Sequence, residues 1–376
     1  MKLGIFKTSM LENEFRVPIY PEALPTLKVE IRNSLIFEKG YGLDYGYGDD
    51  YFIGLGCQVT SREGLFESAD VLVLPKPVKD DICSMRPKQV LWGWPHCVQQ
   101  KEIAQAAIDN QVTLIAWEAM HHWSNSGEQQ MHIFYKNNEL AGYAAILHVL
   151  ELLGTDGHYG PKRKVGIIGY GSVSRGAICA LQGRGFNDIN VYSRRPTHLI
   201  ADQQPGVCYH QIFSDSQGKL NVRLADSSTK LFEDELSESD IIYNGILQDT
   251  DSPLIFIDDN NLEKLKPKSI IIDVSCDEGM GFSFAKPTTF YNPTFEVGEK
   301  ITYYSVDHTP TYLWNSASRE ISKSIVPYLE IILSGPSAWH NDPTISRAIE
   351  IENGRVLNPK LLSFQKRNSE YPHSFL

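Results

Sequence analysis

No CxxC pair occurs in this chain. Its six cysteines, Cys57, Cys83, Cys97, Cys179, Cys208 and Cys276, are scattered over 376 residues. That spread excludes a zinc knuckle and does not match the dense framework of a small disulfide-stapled domain. Reduced thiols, no metal site and a cytoplasmic protein are expected. Long hydrophobic runs are lacking too. No segment approaches the roughly eighteen apolar residues that span a bilayer. The opening MKLGIFKTSMLENEFR turns polar too soon for a signal-peptide core. Basic charge is the third shortage. Lys and Arg total 35 against 46 Asp and Glu, for a formal net charge of -11. A nucleic acid or an anionic membrane needs a basic face, so neither is expected as a partner. No internal repeat is present.

What remains is ordinary globular material, 42% hydrophobic and 22% charged, long enough for two or three domains. KLGIFK reads as a first strand, 21–33 as a helix, and ADVLVLPKPV, KQVLWGW and VTLIAWEAM as further strands. Helical stretches such as KEIAQAAIDN lie between them. EKGYGLDYGYGDDYFIGLG reads as a glycine-rich turn followed by the start of a helix. Strands alternating with helices predict an α/β domain with a largely parallel sheet. Helical periodicity over 138–154 predicts a linking helix. A second strand–helix series starts at Lys164, and a long helix over 317–333 predicts a return to the first domain. The expected division is 1–137 plus 309–376, a discontinuous catalytic domain, and 138–308, a dinucleotide-binding domain.

KVGIIGYGSVSRGAICALQGRGFNDINVYSRR carries the most chemistry. A buried strand runs into Gly169-Tyr170-Gly171, and Ser172-Val173-Ser174-Arg175-Gly176 opens a helix. Gly169 makes the tight turn, and Gly171 lets backbone approach a pyrophosphate. Ser174 and Gly176 are small enough for the helix to lie close to the sheet. Free N–H groups and the helix dipole then meet phosphate charge. The alternative is a glycine turn that binds nothing. The strand that follows ends in Ser193-Arg194-Arg195, where NAD-selective sites place an acid. Serine donates to a 2′-phosphate and arginine grips it bidentately, so NADP(H) is favoured over NAD(H). Asn244-Gly245, after the fourth strand of this series, is placed under the nicotinamide ribose.

Several stretches, in order, resemble the alanine dehydrogenase and transhydrogenase superfamily. They are ENEFRVPIYPEAL, LPKPV, GWPHC, YKNNELAGYAAILHVL, IIDVSCDEG, KPTTFYNPTF and SVDHTPTYL. The likeness covers nearly the whole chain and is strongest to the ornithine-condensing branch, N5-(carboxyethyl)ornithine synthase, and to fungal-type saccharopine dehydrogenases. Trp117 stands where some relatives have tyrosine, and His308-Thr309-Pro310 departs from the asparagine-containing version of alanine dehydrogenases. The resemblance implies two Rossmann-like α/β domains with parallel sheets, separated by an active-site cleft, the first completed by the carboxy-terminal segment. Family members differ in assembly; a homo-oligomer is expected.

The resemblance also implies roles. His96, on its own readable as a hydrogen-bonded core histidine, becomes the acid/base. Lys76, held between Pro75 and Pro77, and Arg16 become a cationic clamp for the carboxylate of a 2-oxo acid; the alternative is surface salt-bridge residues, more so for Arg16 because its neighbours are charged. Lys76 is also a candidate for proton transfer. Glu118 either orients these groups or is a strand-end surface carboxylate. Asp277 either holds the amine or a water, or is an N-cap or turn residue. His308 either contacts substrate or cofactor or is a buried structural histidine. The implied reaction is reductive condensation of a 2-oxo acid, pyruvate being favoured, with the side-chain amine of ornithine or lysine. Alanine dehydrogenase, a saccharopine dehydrogenase-like enzyme and an NADP(H)-sensing binding protein without turnover are the alternatives. His121, His122 and His132 are read as solvated loop residues rather than a metal site.

Overall fold

A computed structural model describes residues 1–224, 226–249 and 252–376. The chain forms two compact units, Met1–Tyr135 with Trp314–Leu376, and Lys136–Leu313. The linking helix expected over 138–154 occupies Tyr135–Leu152. Both units are α/β structures built on predominantly parallel sheets.

The first unit holds strands β1 (Leu3–Ile5), β2 (Leu35–Glu38), β3 (Gln58–Thr60), β4 (Val71–Leu74), β5 (Val90–Gly93) and β6 (Thr113–Ala116). A hairpin, β7 (His121–Trp123) and β8 (Gln129–His132), follows. The second unit holds β9 (Lys164–Ile168), β10 (Asp188–Ser193), β11 (Val207–Ser214), β12 (Leu220–Arg223), β13 (Thr229–Leu231), β14 (Ile241–Asn244), β15 (Ile255–Ile257), β16 (Ile270–Asp273), β17 (Gly281–Phe282), β18 (Thr294–Val297) and β19 (Ile301–Tyr304). The chain then returns to the first unit for β20 (Ile349–Glu352) and β21 (Arg355–Val356).

In the first unit the sheet order is β21-β20-β6-β5-β4-β1-β2-β3. Strands β4, β5 and β6 read VLVL, VLWG and TLIA and are buried throughout. A parallel sheet covered on both faces requires such runs. One core contains Val71, Val73, Trp92 and Ile115; the other contains Leu72, Leu74, Leu91 and Leu114. These are alternate residues of the same strands, so the two cores lie on opposite faces. The sequence from far along the chain closes this sheet, because β20 pairs antiparallel with β6.

Two expected helices are broken, both at proline. Over 21–33 the backbone forms a 3-10 helix, Pro21–Thr26, and one short turn of helix, Val29–Arg32, with Pro25 inside the first piece. Over 317–333 the helix Trp314–Ile325 gives way to a 3-10 turn, Val326–Tyr328, before Leu329–Ser334. Proline has no N–H to donate and its ring clashes with the preceding turn. Apolar periodicity survives such a break, so the pattern reads as continuous.

In the second unit the order is β13-β12-β11-β10-β9-β14-β16-β19-β18. The strands from β11 to β19 in that order run parallel, and β12, β13 and β18 add antiparallel edges. A small side sheet pairs β15 with β17. Gly176 differs from expectation. A Cβ there would sit 1.8 Å from the Glu139 carbonyl, and one on Gly142 would sit 1.9 Å from the Val173 carbonyl. The two glycines let the nucleotide-side helix Ser172–Gly183 touch the long helix Tyr135–Leu152 backbone to backbone. Gly176 therefore serves helix–helix packing, not helix–sheet packing.

Gly93 is required where β5 ends. A Cβ there would lie 1.9 Å from the Leu74 carbonyl oxygen. Gly93→Ala is expected to destabilise the protein by about 1–3 kcal/mol or more, as overpacking against backbone does. Thermal unfolding checks this; an unchanged midpoint would refute the close approach.

Candidate active site

Three adjacent strand ends build the first constellation. Leu74, Gly93 and Ala116 are register partners across β4, β5 and β6. The chain leaves each strand on the same edge of the sheet, carrying Lys76, His96 and Glu118 with it. Trp94 N–H donates to the Pro75 carbonyl at 2.9 Å, which ties the first two exits together. Ser9 Oγ donates to the Lys76 carbonyl and fixes the backbone from below. Lys76 is buried, with 8% of its surface exposed.

His96 adopts a left-handed backbone, φ 44°, unusual for a residue with a Cβ and frequent at functional sites. Its N–H donates to Glu118 Oε1 at 2.6 Å, and its ring Nδ1 lies 3.7 Å from the same oxygen. The imidazole keeps 37% of its surface, so solute reaches it. Under these groups lie indole and phenyl rings. Trp117 meets Trp94 edge-on at 4.8 Å and Trp92 at 5.9 Å, and Phe134 lies 4.9 Å from Trp94. Such rings are rigid and apolar, and they lower the local dielectric. Burial accordingly pushes the Glu118 carboxyl up to about 8, helped by the charge of Glu350 and opposed by the His96 N–H and by Lys76.

Arg16 is not the surface residue its charged neighbours suggest. It is 2% exposed, and its guanidinium donates from Nε to Glu14 Oε1 at 2.8 Å and from a terminal nitrogen to Glu14 Oε2. The same guanidinium lies 5.0 Å from the Trp94 ring centroid. A buried bidentate pair of this kind fixes orientation and cancels much of the cation's net charge.

The second unit carries the glycine bend. Gly169 has φ 89°, and a Cβ there would come 2.6 Å from Ile246 Cγ1. Gly171 caps the helix Ser172–Gly183 without any side-chain hydrogen bond, and the space beside its Cα is open. Gly245 brings backbone against Ser174, whose buried hydroxyl has no hydrogen-bond partner among the described residues. An uncapped helix start, an open glycine and an orphaned hydroxyl fit a dinucleotide pyrophosphate against Gly171, Ser172 and Val173. At the end of β10 the Ser193 hydroxyl is buried and accepts the Arg195 N–H at 3.2 Å, while Arg194 and Arg195 are exposed.

Asn244 is fully buried and donates to Asp273 Oδ1 at 3.0 Å. Tyr303 OH donates to the other oxygen at 2.6 Å, and Ser275 N–H donates to Oδ1 at 3.1 Å. Burial still pushes Asp273 from its ordinary 3.8 up to about 6. Asp277 opens a turn in which Met280 N–H bonds its carbonyl, directly after Cys276 in the left-handed region, φ 57°. The His308 side chain is buried, edge-on to Phe290 at 5.4 Å.

The structure thus gathers Lys76, His96 and Glu118 in one unit. In the other it gathers Gly169, Gly171, Ser172, Val173, Asn244 and Gly245. Glu14, Cys97, Glu350, Asp273 and Tyr303 enter from outside the expectations. Glu14 stands two positions from Arg16, and Asp273 stands in the quoted IIDVSCDEG stretch. Glu350 has no local signal, since only the pairing of β20 with β6 brings it in.

The profile of the alanine dehydrogenase/PNT N-terminal domain matches residues 5–141, and that of the C-terminal domain matches 160–359. An N(5)-(carboxyethyl)ornithine synthase of Clostridium botulinum is 26% identical over 344 residues, 86% of this chain and 92% of that protein. An alanine dehydrogenase of Mycobacterium tuberculosis is 23% identical over 96% of both chains. Among solved structures, an L-alanine dehydrogenase superposes with a TM-score of 0.74 at 20% identity, covering 97% of this chain and 99% of that one. A transhydrogenase from Sinorhizobium meliloti superposes with a TM-score of 0.68 at 18% identity, covering 96% and 99%.

Asp273 gives a pH signature. The native state holds this proton to higher pH than the unfolded chain does, so between 3.8 and about 6 the native state binds more protons. Stability therefore falls as pH rises through that window. Asp273→Asn is expected to flatten that part of the stability profile, read from thermal midpoints at a series of pH values. An unaltered slope would refute the assignment.

Proposed function

The chain belongs to the alanine dehydrogenase/PNT family, and from that premise we propose that it joins a 2-oxo acid, pyruvate in preference, to the side-chain amine of a basic amino acid, ornithine or lysine, using NADP(H). It is an oxidoreductase of that family, whose relatives act on amino acids. The observation that carries the finer reading is the triple strand end, where Glu118 holds the His96 backbone and lies in the field of Lys76.

A cation, an imidazole and a weakly acidic carboxyl are what imine formation from an oxo acid needs. The Lys76 ammonium draws in the substrate carboxylate. The buried Arg16–Glu14 pair supplies a fixed guanidinium beside Trp94. His96, still partly exposed, takes a proton from the attacking amine and returns one to the departing hydroxyl, so that water leaves and an imine forms. The aromatic floor keeps these charges away from bulk water. When bound, a nicotinamide cofactor supplies the hydride for the imine carbon. Gly169, Gly171, Ser172 and Val173 would hold its pyrophosphate. Ser193, Arg194 and Arg195 would hold a 2′-phosphate, which is why NADP(H) is preferred here over NAD(H). Asn244 and Gly245 would underlie the nicotinamide ribose. Asp277 and His308 are assigned to substrate.

A second reading is alanine dehydrogenase, favoured by the 23% identical relative that spans 96% of this chain. A screen of oxo acids against amines, following NADPH and NADH oxidation with product mass, separates the two. Turnover is expected to need both pyruvate and a side-chain amine, faster with NADPH. Equal turnover with ammonia would replace the reading by the second one. His96→Ala is expected to lower kcat by about 10²–10⁴-fold with cofactor affinity, measured by fluorescence titration, nearly intact. Loss of cofactor binding instead would make His96 structural.

A further inference from the structure

Behind His96 lies a carboxyl that the reaction as described does not use. Glu350, on β20, is 5% exposed. Its side-chain partners are neutral: the Cys97 thiol donates to Oε2, and the Asn358 amide donates to Oε1 at 3.2 Å. Cys97 is the residue after His96 in sequence. Glu118 offers Oε1 to the His96 N–H, while its Oε2 is buried and has no hydrogen-bond partner among the described residues. Two carboxyls thus flank the turn that carries the imidazole.

We propose that Glu350 is a positioning residue: with Glu118 it forms a carboxyl pair that carries one proton near neutral pH, so that His96 faces a neutral Glu118 and keeps its imidazole uncharged and ready to accept. This rests on His96 being the acid/base of the proposed reaction.

Two like charges side by side are disfavoured where Glu350 is 5% exposed and the Glu118 side chain keeps 24% of its surface. A carboxylate that, among the described residues, is held by a thiol and an amide is poorly compensated for its lost hydration. The groups facing Glu118 bear this out element by element. Lys76, after β4, favours ionisation. His96 and Cys97 follow β5. His132, on β8, bonds the Trp117 carbonyl at 2.9 Å and is pushed down to about 4 by burial, so it stays neutral. Glu350, on β20, opposes ionisation, and its charge acts on Glu118 more strongly than that of Lys76. Burial raises Glu350 as well. Burial, then the charge of Glu350, holds the Cys97 thiol protonated, so it remains a donor. With Glu118 ionised, its oxygen 3.7 Å from Nδ1 would favour the imidazolium, which cannot accept the amine proton.

The full-length protein without substrate is titrated by infrared difference spectroscopy, following protonated-carboxyl absorption. The expected result is a carboxyl still protonated at pH 7 that ionises near 8 and disappears in Glu118→Gln. Glu350→Gln keeps the shape and the Asn358 contact but removes the second charge. It is expected to move that ionisation, and the matching limb of log(kcat/KM) against pH, down by about one unit. No carboxyl protonated at neutral pH in the unsubstituted protein, or no shift in a folded Glu350→Gln, overturns the proposal. Should no substrate pair turn over, the proposed function falls while the infrared titration still decides the carboxyl pair. If Glu350→Gln does not fold, the unsubstituted titration with Glu118→Gln decides it.

Discussion

The close approach of β4 and β5 at their carboxyl ends governs the rest of the first unit. Leu74 O comes so near Gly93 that no side chain fits, and the Trp94 N–H bonds the next carbonyl along. Two consecutive exits are thereby locked into one rigid corner. Lys76 leaves one side of it between two prolines; His96 leaves the other after Pro95. Glu118 then needs only a single turn beyond β6 to reach the His96 backbone. Open parallel sheets place ligands at the carboxyl ends of their strands, and here the reason is visible in contacts between main-chain atoms. Precision comes from backbone, which has few soft torsions, and not from long side chains.

Charge is handled differently at each of the three groups. Lys76 is buried close enough to Glu118 to favour that carboxyl's ionisation. Arg16 is matched by Glu14 and leans on an indole. Glu118 is pushed by burial towards its neutral form.

Much of this was legible in the order of residues. Alternating buried strands and helices identified the α/β class, because parallel strands covered on both faces leave nearly continuous apolar runs such as VLVL and TLIA. The turn at Gly169 was legible because its positive φ and the approach of Ile246 leave room only for glycine. Lys76, His96 and Glu118 each stand just past a recognisable strand end, so their gathering follows once the strands are adjacent. The helix breaks at Pro25 and Pro327 were missed because apolar periodicity continues through them. The pairing of Arg16 was not legible because its partner, Glu14, looks like another surface charge. Glu350 was beyond reach, since its position depends on an antiparallel pairing between segments more than two hundred residues apart, which no local pattern encodes.

That pairing has a further consequence for how the molecule is made. The sheet of the first unit lacks its last two strands until residues 349–356 have been synthesised. During translation β6 must wait with one edge unpaired while all of Lys136–Leu313 is produced. Unpaired edges invite association with other chains, and domains with such long-range closure assemble late. The inserted unit, contiguous in sequence, is free to mature first on the ribosome. The corner at the ends of β4, β5 and β6 lacks Glu350 until β20 has paired, so a product truncated before residue 349 would expose the flank of β6.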